Sequence, residues 1–202
     1  MLDSLESDAL TELVNIAVSR SALSLRELVG QQVLLSVPSL TVLTRREAAA
    51  QLSGSNSDLL VAVRQSFDGD FSGRALLIFH ETNSLELVRA VAGSEHSIED
   101  IVDLEQEALA EIGNIILNGC MATVANLLER TLTISMPEVI RGSGSDLFDL
   151  RNSVEDDVVV FVSIHFSLKG REISGYVAMV MDLQSLSSLK QLVADYIKRT
   201  AQ

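Results

Sequence analysis

The sequence predicts an α+β domain built from two copies of one unit, and three observations carry that prediction. The two prolines of the chain, Pro38 and Pro137, stand 99 residues apart, and residues 9–38 lie on 108–137 without a gap. That alignment pairs Ala9 with Ala108, Leu10 with Leu109, Glu12 with Glu111, Asn15 with Asn114, Ile16 with Ile115, Leu28 with Leu127 and Ser36 with Ser135. A fixed-period match of this kind marks a repeated structural unit. Second, each half runs through the same coarse order of long amphipathic helix, short strand, a short helix and loop or a polar stretch, two further strands and a closing helix. Third, 202 residues with 47% apolar content can build one sizeable core, and no Pro/Ser-rich linker divides the halves. Residues 1–93 and 102–202 therefore read as two repeats of a single domain, 1–202, joined by a short acidic connector at 94–101.

In order along the chain, 4–29 and 102–129 carry the 3.6-residue apolar period of long helices. Val33 to Val37 and Leu132 to Met136 read as short strands that stop at the prolines, which have no N–H for a ladder. A short helix is expected near 43–52 and a loop at 53–58. Strands near 58–66 and 72–79 are expected to meet across Asp68-Gly69-Asp70, a hairpin signal. A helix at 83–92 ends the first half. The second half continues with a polar stretch at 141–156, strands at 157–167 and 173–181 about a turn at Lys169-Gly170, and a helix at 184–199. Ser72-Gly73 and Ser174-Gly175 look alike at a displacement of 102, a drift that inserted loop residues account for. Fused repeats of this kind share one sheet, with the equivalent helices related by an approximate two-fold axis.

Charge removes several function classes. Fifteen Lys and Arg face 28 Asp and Glu, a net charge of −13 with a pI near 4.5. This is the opposite of a nucleic-acid footprint, and such a surface avoids anionic lipid. One cysteine forms no internal disulfide and suits a reducing compartment, so the expected location is the cytoplasm. The acidic N-terminus is unlike a signal peptide, and no window of about 18 uninterrupted apolar residues is present, so membrane insertion is not expected. His80, His96 and His165 are scattered without metal-ligand spacing. The Gly/Ser stretches at 53–58 and 142–145 lack the Gly-Lys-Ser/Thr ending of a phosphate loop. Cys120 falls on an apolar stripe with Ile112, Ile116 and Leu127, where a packed thiol is expected rather than a nucleophile.

The duplicated helix holds the informative residues. At 100° per residue, Leu10, Leu13, Val14, Ala17, Leu25 and Leu28 gather on one side and Asp8, Glu12, Asn15, Ser19 and Arg26 on the other. In the second copy Glu107, Glu111, Asn114 and Asn118 oppose the apolar stripe. Glu and Asn at i and i+3 therefore project together. A single such pair is an ordinary solvated surface. Its recurrence asks for a further reason, because Asn is a mediocre helix former while neighbouring exposed positions have diverged, Arg20 against Gly119 and Arg26 against Ala125 among them.

At these residues the chain resembles the CheC/CheX/FliY phosphatases of bacterial chemotaxis. Their signature is Asp or Ser, three residues, Glu, two residues, Asn, then twenty-two residues and Pro. Asp8, Glu12, Asn15 and Pro38 match it fully, whereas Glu107, Glu111, Asn114 and Pro137 depart at the first position, where Glu stands for Asp or Ser. The resemblance covers essentially the whole chain and is strongest to stand-alone CheC. It implies a CheC-like fold, with two equivalent site helices on a shared, mostly antiparallel sheet. It also implies a protein phosphatase for the aspartyl phosphate of a CheY-like response regulator. Asn15 and Asn114 would orient the attacking water, and Glu12 and Glu111 would pair with a regulator lysine. Asp8 and Glu107 would serve as helix-start and docking residues, and Pro38 and Pro137 as structural motif positions. No cofactor of its own is implied, and the Mg²⁺ would belong to the regulator. The alternative is a non-catalytic CheC-type adaptor that binds a response regulator, CheD or a flagellar-switch component.

Acidic residues cluster at the same places. Four lie in residues 1–12 and seven in 95–111, with no Lys or Arg among them. They suggest a face that repels free phosphoesters yet accepts a partner's lysine.

Overall fold

The computed structural model describes residues 3–30, 32–53, 59–92, 98–151, 157–168 and 170–200. The chain order is α1 (Ser4–Val29), β1 (Val33–Thr44), α2 (Arg45–Leu52), β2 (Leu60–Asp68), β3 (Gly73–His80), α3 (Glu81–Ala92), α4 (Ile98–Leu127), β4 (Thr133–Ile134), β5 (Glu138–Gly142), α5 (Gly144–Leu147), β6 (Val158–Leu168), β7 (Arg171–Met181) and α6 (Leu183–Thr200). One antiparallel sheet runs β1-β6-β7-β3-β2-β4, with β5 also paired to β2 on the β4 edge. This is the mixed α+β fold with a shared antiparallel sheet that the sequence pattern implies.

The long helices cover one face of the sheet. Leu10, Leu13, Ala17 and Leu25 of α1 and Leu109, Ile112 and Ile116 of α4 join Val61, Val63, Leu77, Val162 and Ile164 in the larger core, with Leu87 of α3 and Leu189 of α6. The opposite face holds a smaller core at Leu60, Ala62, Ile78, Val159 and Phe161, covered by Ala48, Ala49 and Leu52 of α2 and by Leu147 and Phe148 of α5. Alternate residues of each strand thus serve two cores, as the period of two requires. Leu28, placed on the apolar side by its helical angle, is instead 47% exposed. It lies in the last turn of α1, close to the end of that helix's packed stretch.

The two halves share their ladder register. Leu35 faces Phe166 as Ile134 faces Phe67, and Ser39 faces Ser163 as Glu138 faces Arg64, each residue shifted by 99. At the middle of the sheet Leu77 of β3 lies opposite Val177 of β7. Two sequence expectations are corrected here. The first strand does not stop at its proline: β1 continues through position 38 to Thr44, with its register shifting between Ser36 and Ser39. In the second half the same interruption parts β4 from β5 around Pro137. Both interruptions lie on edge strands, where a residue without an N–H leaves no neighbour's ladder incomplete. The match of Ser72-Gly73 with Ser174-Gly175 is also offset, because Gln65 pairs with Ala75 while Ile164 pairs with Gly175. The ladder therefore sets Gly175 against Ala75, a displacement of 100 rather than 102. Between equivalent paired residues the second hairpin is one residue longer, six residues separating Phe166 from Ile173 where five separate Phe67 from Gly73, so the displacement grows only from 99 to 100.

The motif helices pack on each other near Ser21 and Cys120, whose side chains lie 3.5 Å apart and 99 residues apart in sequence. Ser21 and Cys120 are positions that the 99-residue alignment makes equivalent, so the two helices meet at matching points along their lengths. Gly119 permits the approach, since a Cβ there would fall 2.5 Å from Ser21 Oγ. The Leu104–Leu127 stretch of α4 is long and apolar enough to cross a membrane by composition, with mean hydropathy 1.4, but 56% of its most apolar window is buried inside the molecule. Its apolar side is core.

Gly113 sets the depth of α4 on the sheet, because a Cβ there would lie 2.5 Å from Val63 Cβ and Cγ1. That contact involves the branch point of a strand residue, which cannot swing away. Gly113→Ala is expected to destabilise the fold by about 1–3 kcal/mol through overpacking, read from urea unfolding. An unchanged midpoint would show that α4 does not depend on this close approach.

Candidate active site

Helix α1 begins at a capping box: Asp3 accepts from the Glu6 N–H at 2.8 Å and Glu6 accepts from the Asp3 N–H at 2.9 Å. It ends at Gly30, whose φ of 69° favours glycine, with the Gly30 N–H donating to the Arg26 carbonyl. Within this helix Asp8 and Glu12 are exposed and Asn15 is half-buried. The second copy matches, with Glu107 and Glu111 exposed and Asn114 half-buried on α4. Each carboxylate therefore reaches solvent one turn ahead of an amide set against the body of the protein. Asp8 and Glu107 are not helix-start residues, contrary to their expected role. Asp3 already caps α1, placing Asp8 in its second turn, and α4 starts at Ile98, well before Glu107. The helix-end dipole fades within the first turn, so both carboxylates are available only as surface charges. Pro137 is half-buried beside a shallow open groove shared by Gln106, Glu107, Ala110 and Glu138.

Not all of the acid clusters belong to the exposed face. Asp3 and Glu6 are used in the cap, and Glu6 also lies 3.3 Å from Lys190 of α6. Glu105, its equivalent 99 residues on, is 3% exposed; it accepts from Ser84 Oγ of α3 at 2.7 Å and pairs with Arg141 of β5. These two glutamates fasten the motif helices to neighbouring elements. Asp8, Glu12, Glu107 and Glu111 form no ion pair among the described residues. His96 and the stretch 95–97 lie outside the described residues. Among those described, no three His, Cys, Asp or Glu side chains gather as a metal set.

The two amides differ in their surroundings. Asn15 has no side-chain hydrogen bond among the described residues. Asn114 Oδ1 accepts from Gln65 Nε2 at 3.2 Å and from Asn118 Nδ2 at 2.6 Å, while the same Gln65 Nε2 donates to the Ser135 carbonyl at 2.9 Å. Gln65 is 1% exposed. Its Oε1 and the Asn118 Oδ1 are buried without a partner among the described residues, an arrangement that costs about 1–3 kcal/mol per orphaned group. Sequence reading missed Gln65, although a signal existed: on β2 the core-facing series Val61, Val63, Gln65, Phe67 is broken by one polar residue. Asn118 was visible on the polar side of α4, but its contact with Asn114 was not.

Cys120 is buried, and desolvation raises its thiol to about 11 despite the Ser21 hydroxyl beside it. A thiol held neutral inside the core is no nucleophile. Native protein is expected to react with a soluble thiol reagent at pH 8 at least about tenfold more slowly than the unfolded chain. Equal rates would place the sulfur at the surface and reopen a covalent role.

Comparison with known proteins agrees with this architecture. The family model described as chemotaxis phosphatase CheX matches residues 61–166, just over half of the chain. The flagellar motor switch phosphatase FliY of Bacillus subtilis is 24% identical over 199 residues, 96% of this chain and 50% of that protein, so the chain spans half the length of that relative. The CheY-P phosphatase CheC of Bacillus subtilis is 26% identical over 193 residues, 91% of each. Among solved structures, Thermotoga maritima FliY superposes with a TM-score of 0.75 at 20% identity, covering 97% of this chain and 99% of that one. The CheX-CheY-BeF3-Mg²⁺ complex from Borrelia burgdorferi gives 0.51 at 16% identity, covering 83% and 97%. With the family model spanning residues 61–166 and full-length relatives sharing the fold, the chain belongs to the chemotaxis phosphatase CheX family.

Proposed function

We propose that this protein hydrolyses the aspartyl phosphate of a CheY-like response regulator, using one site on α1 and one on α4. The observation that carries the reading is the Glu12/Asn15 pair repeated as Glu111/Asn114, each with its carboxylate reaching solvent and its amide half-buried, in a chain whose relative CheC is a CheY-P phosphatase. A related CheX has been crystallised with CheY, which supports a CheY-like partner here.

An acyl phosphate is already activated, so a protein can accelerate its hydrolysis by placing one water in line rather than by supplying a nucleophile. Water oxygen attacks phosphorus, the bond to the aspartyl oxygen breaks, and the regulator's carboxylate leaves. Inorganic phosphate carries away the added oxygen, and the water's second proton passes to phosphate or solvent. An amide suits this role, because its oxygen accepts a hydrogen bond from water and its neutral charge does not repel the phosphoryl group. Asn15, whose amide has no internal partner among the described residues, would act in this way. Glu12 and Glu111, one turn earlier, would grip a lysine of the regulator, with Asp8 and Glu107 extending the acidic face. In this reading Mg²⁺ is carried by the regulator, and the reaction takes place in the cytoplasm where the regulator signals. Because these four acids lack a cation of their own among the described residues, a free phosphoester would be repelled. A phosphate embedded in a protein with its own cation would not be.

The test follows phosphate loss from a labelled regulator. Asn15→Ala and Asn114→Ala are each expected to slow turnover, Asn15→Ala at least as much, and the double variant to lose about 100-fold or more. A double variant that hydrolyses like the parent would overturn the mechanism and leave the adaptor reading, in which the regulator binds but is not processed. A larger loss from Asn114→Ala than from Asn15→Ala would overturn the ranking of the sites.

A further inference from the structure

The amide of Asn114 is oriented by a chain of hydrogen bonds whose polarity is set at a backbone carbonyl. The Ser135 carbonyl can only accept, so the Gln65 atom 2.9 Å from it must be the NH₂ nitrogen. That nitrogen also lies 3.2 Å from Asn114, so the Asn114 atom facing it must be oxygen. The same oxygen lies 2.6 Å from Asn118, which must then present its own NH₂. Reversing any one amide would set two donors or two acceptors against each other. With both lone pairs of Asn114 Oδ1 engaged inside the protein, the group left without an internal partner among the described residues is its NH₂.

The first site has no such chain. By the 99-residue register that the ladders share, the position of Gln65 is taken by Ile164, which is fully buried, and that of Asn118 by Ser19, which is exposed. Ile164 has no polar side-chain group, and Ser19 makes no hydrogen bond to Asn15 among the described residues. The Gln65 side chain is buried on the core face of a strand with its own oxygen unpartnered among the described residues, a placement that packing alone would fill with an apolar residue such as the Val63 and Phe67 beside it.

We infer that Gln65 and Asn118 are positioning residues for Asn114, fixing its amide with the N–H groups outward, so that the second site offers a hydrogen-bond donor to the partner's phosphoryl oxygens while the first offers an amide free to turn its oxygen to water. This rests on the phosphatase reading of the Glu/Asn pairs. The chemistry differs accordingly. In a loose phosphoryl-transfer transition state charge is spread over the three equatorial oxygens, and a fixed N–H donor stabilises that charge without reorganising. The two motifs, alike in sequence, would use opposite ends of the same side chain.

The experiment isolates each site in the full chain. In an Asn15→Ala background, Gln65→Met and Asn118→Ala are each expected to lower kcat about tenfold with KM for the phosphorylated regulator unchanged. In an Asn114→Ala background, where only the first site acts, neither is expected to alter kcat. Side-chain amide NMR supplies a readout that needs no activity. The Asn114 NH₂ should be rigid and the Asn15 NH₂ mobile on the nanosecond scale, with Gln65→Met making Asn114 as mobile as Asn15. Equal kcat losses in both backgrounds would mean a general effect on the fold and would overturn the inference. An Asn114 amide as mobile as Asn15 in the parent protein would overturn it as well. A parent protein without phosphatase activity but with a rigid Asn114 amide released by Gln65→Met would instead overturn the phosphatase reading and leave the orientation standing.

Discussion

The packing of α1 on α4 at Ser21, Gly119 and Cys120 is the constraint on which the remaining arrangement depends. Two long helices can approach this closely only where side chains are small. Ser21 Oγ bonds to the Ala17 carbonyl of its own helix and to the Ile116 carbonyl of the other, at 3.1 and 3.3 Å, so the hydroxyl satisfies itself inside an apolar seam. Because the residues in contact are repeat equivalents, each helix meets the other at the same point along its length. The motif residues precede that point by the same number of residues in both copies. Asn15 is six residues before Ser21 and Asn114 six before Cys120, about 9 Å along the helix axis. Helix packing and sheet register thus place two matching motifs on one body.

The surface charge is divided by the same architecture. Acids on one helix have opposite fates according to the face they occupy. Glu6 and Glu105 turn toward neighbouring elements, where Lys190, Ser84 and Arg141 receive them, whereas Asp8, Glu12, Glu107 and Glu111 face solvent. Exposed ion pairs contribute little to stability. The buried Glu105 is different, since taking away its partners would strand a charge in the core. Part of the net charge of −13 is therefore structural, and another part is a face without cations of its own among the described residues. In the proposed reading, Glu12 and Glu111 stand a single helical turn from the amides, so one docking event would bring a lysine and a phosphoryl group to adjacent residues.

Equivalence of sequence did not ensure equivalence of site. Ile164 and Gln65 occupy matching places beneath matching asparagines, and the change from apolar to amide side chain turns a free carboxamide into an oriented one. A substitution in the strand, three elements before the motif helix in the chain, alters what the motif presents. The orphaned oxygens of Gln65 and Asn118 show that this orientation is held against a local energetic cost.

What the sequence by itself determined is local. The helices, their apolar stripes, the Glu/Asn pairs at i and i+3 and the hairpins follow from periodicities of 3.6 and 2 that neighbouring residues impose on one another, and the 99-residue repeat follows from laying the chain on itself. The Glu/Asn spacing carries the resemblance to the family, and the family model over residues 61–166 establishes the membership. The fates of Pro38 and Pro137 could not be read from spacing, because whether a proline ends a strand or interrupts it depends on whether the strand lies at a sheet edge. Helix α4 begins at Ile98, four residues before the start its periodicity marks, since the apolar period fades in the acidic stretch before Leu104. The short β5, Glu138–Gly142, lies mostly between the expected strand ending at Met136 and the polar stretch from 141, where too few residues show a period, and it forms by pairing with β2. Only the tertiary structure decided which end of the Asn114 amide faces outward. That choice is made by the Ser135 carbonyl and the Gln65 amide, 70 and 49 residues apart from their partners in sequence. The direction of a hydrogen-bond chain is fixed by the one member that cannot be reversed, and folding is what brings that member into place.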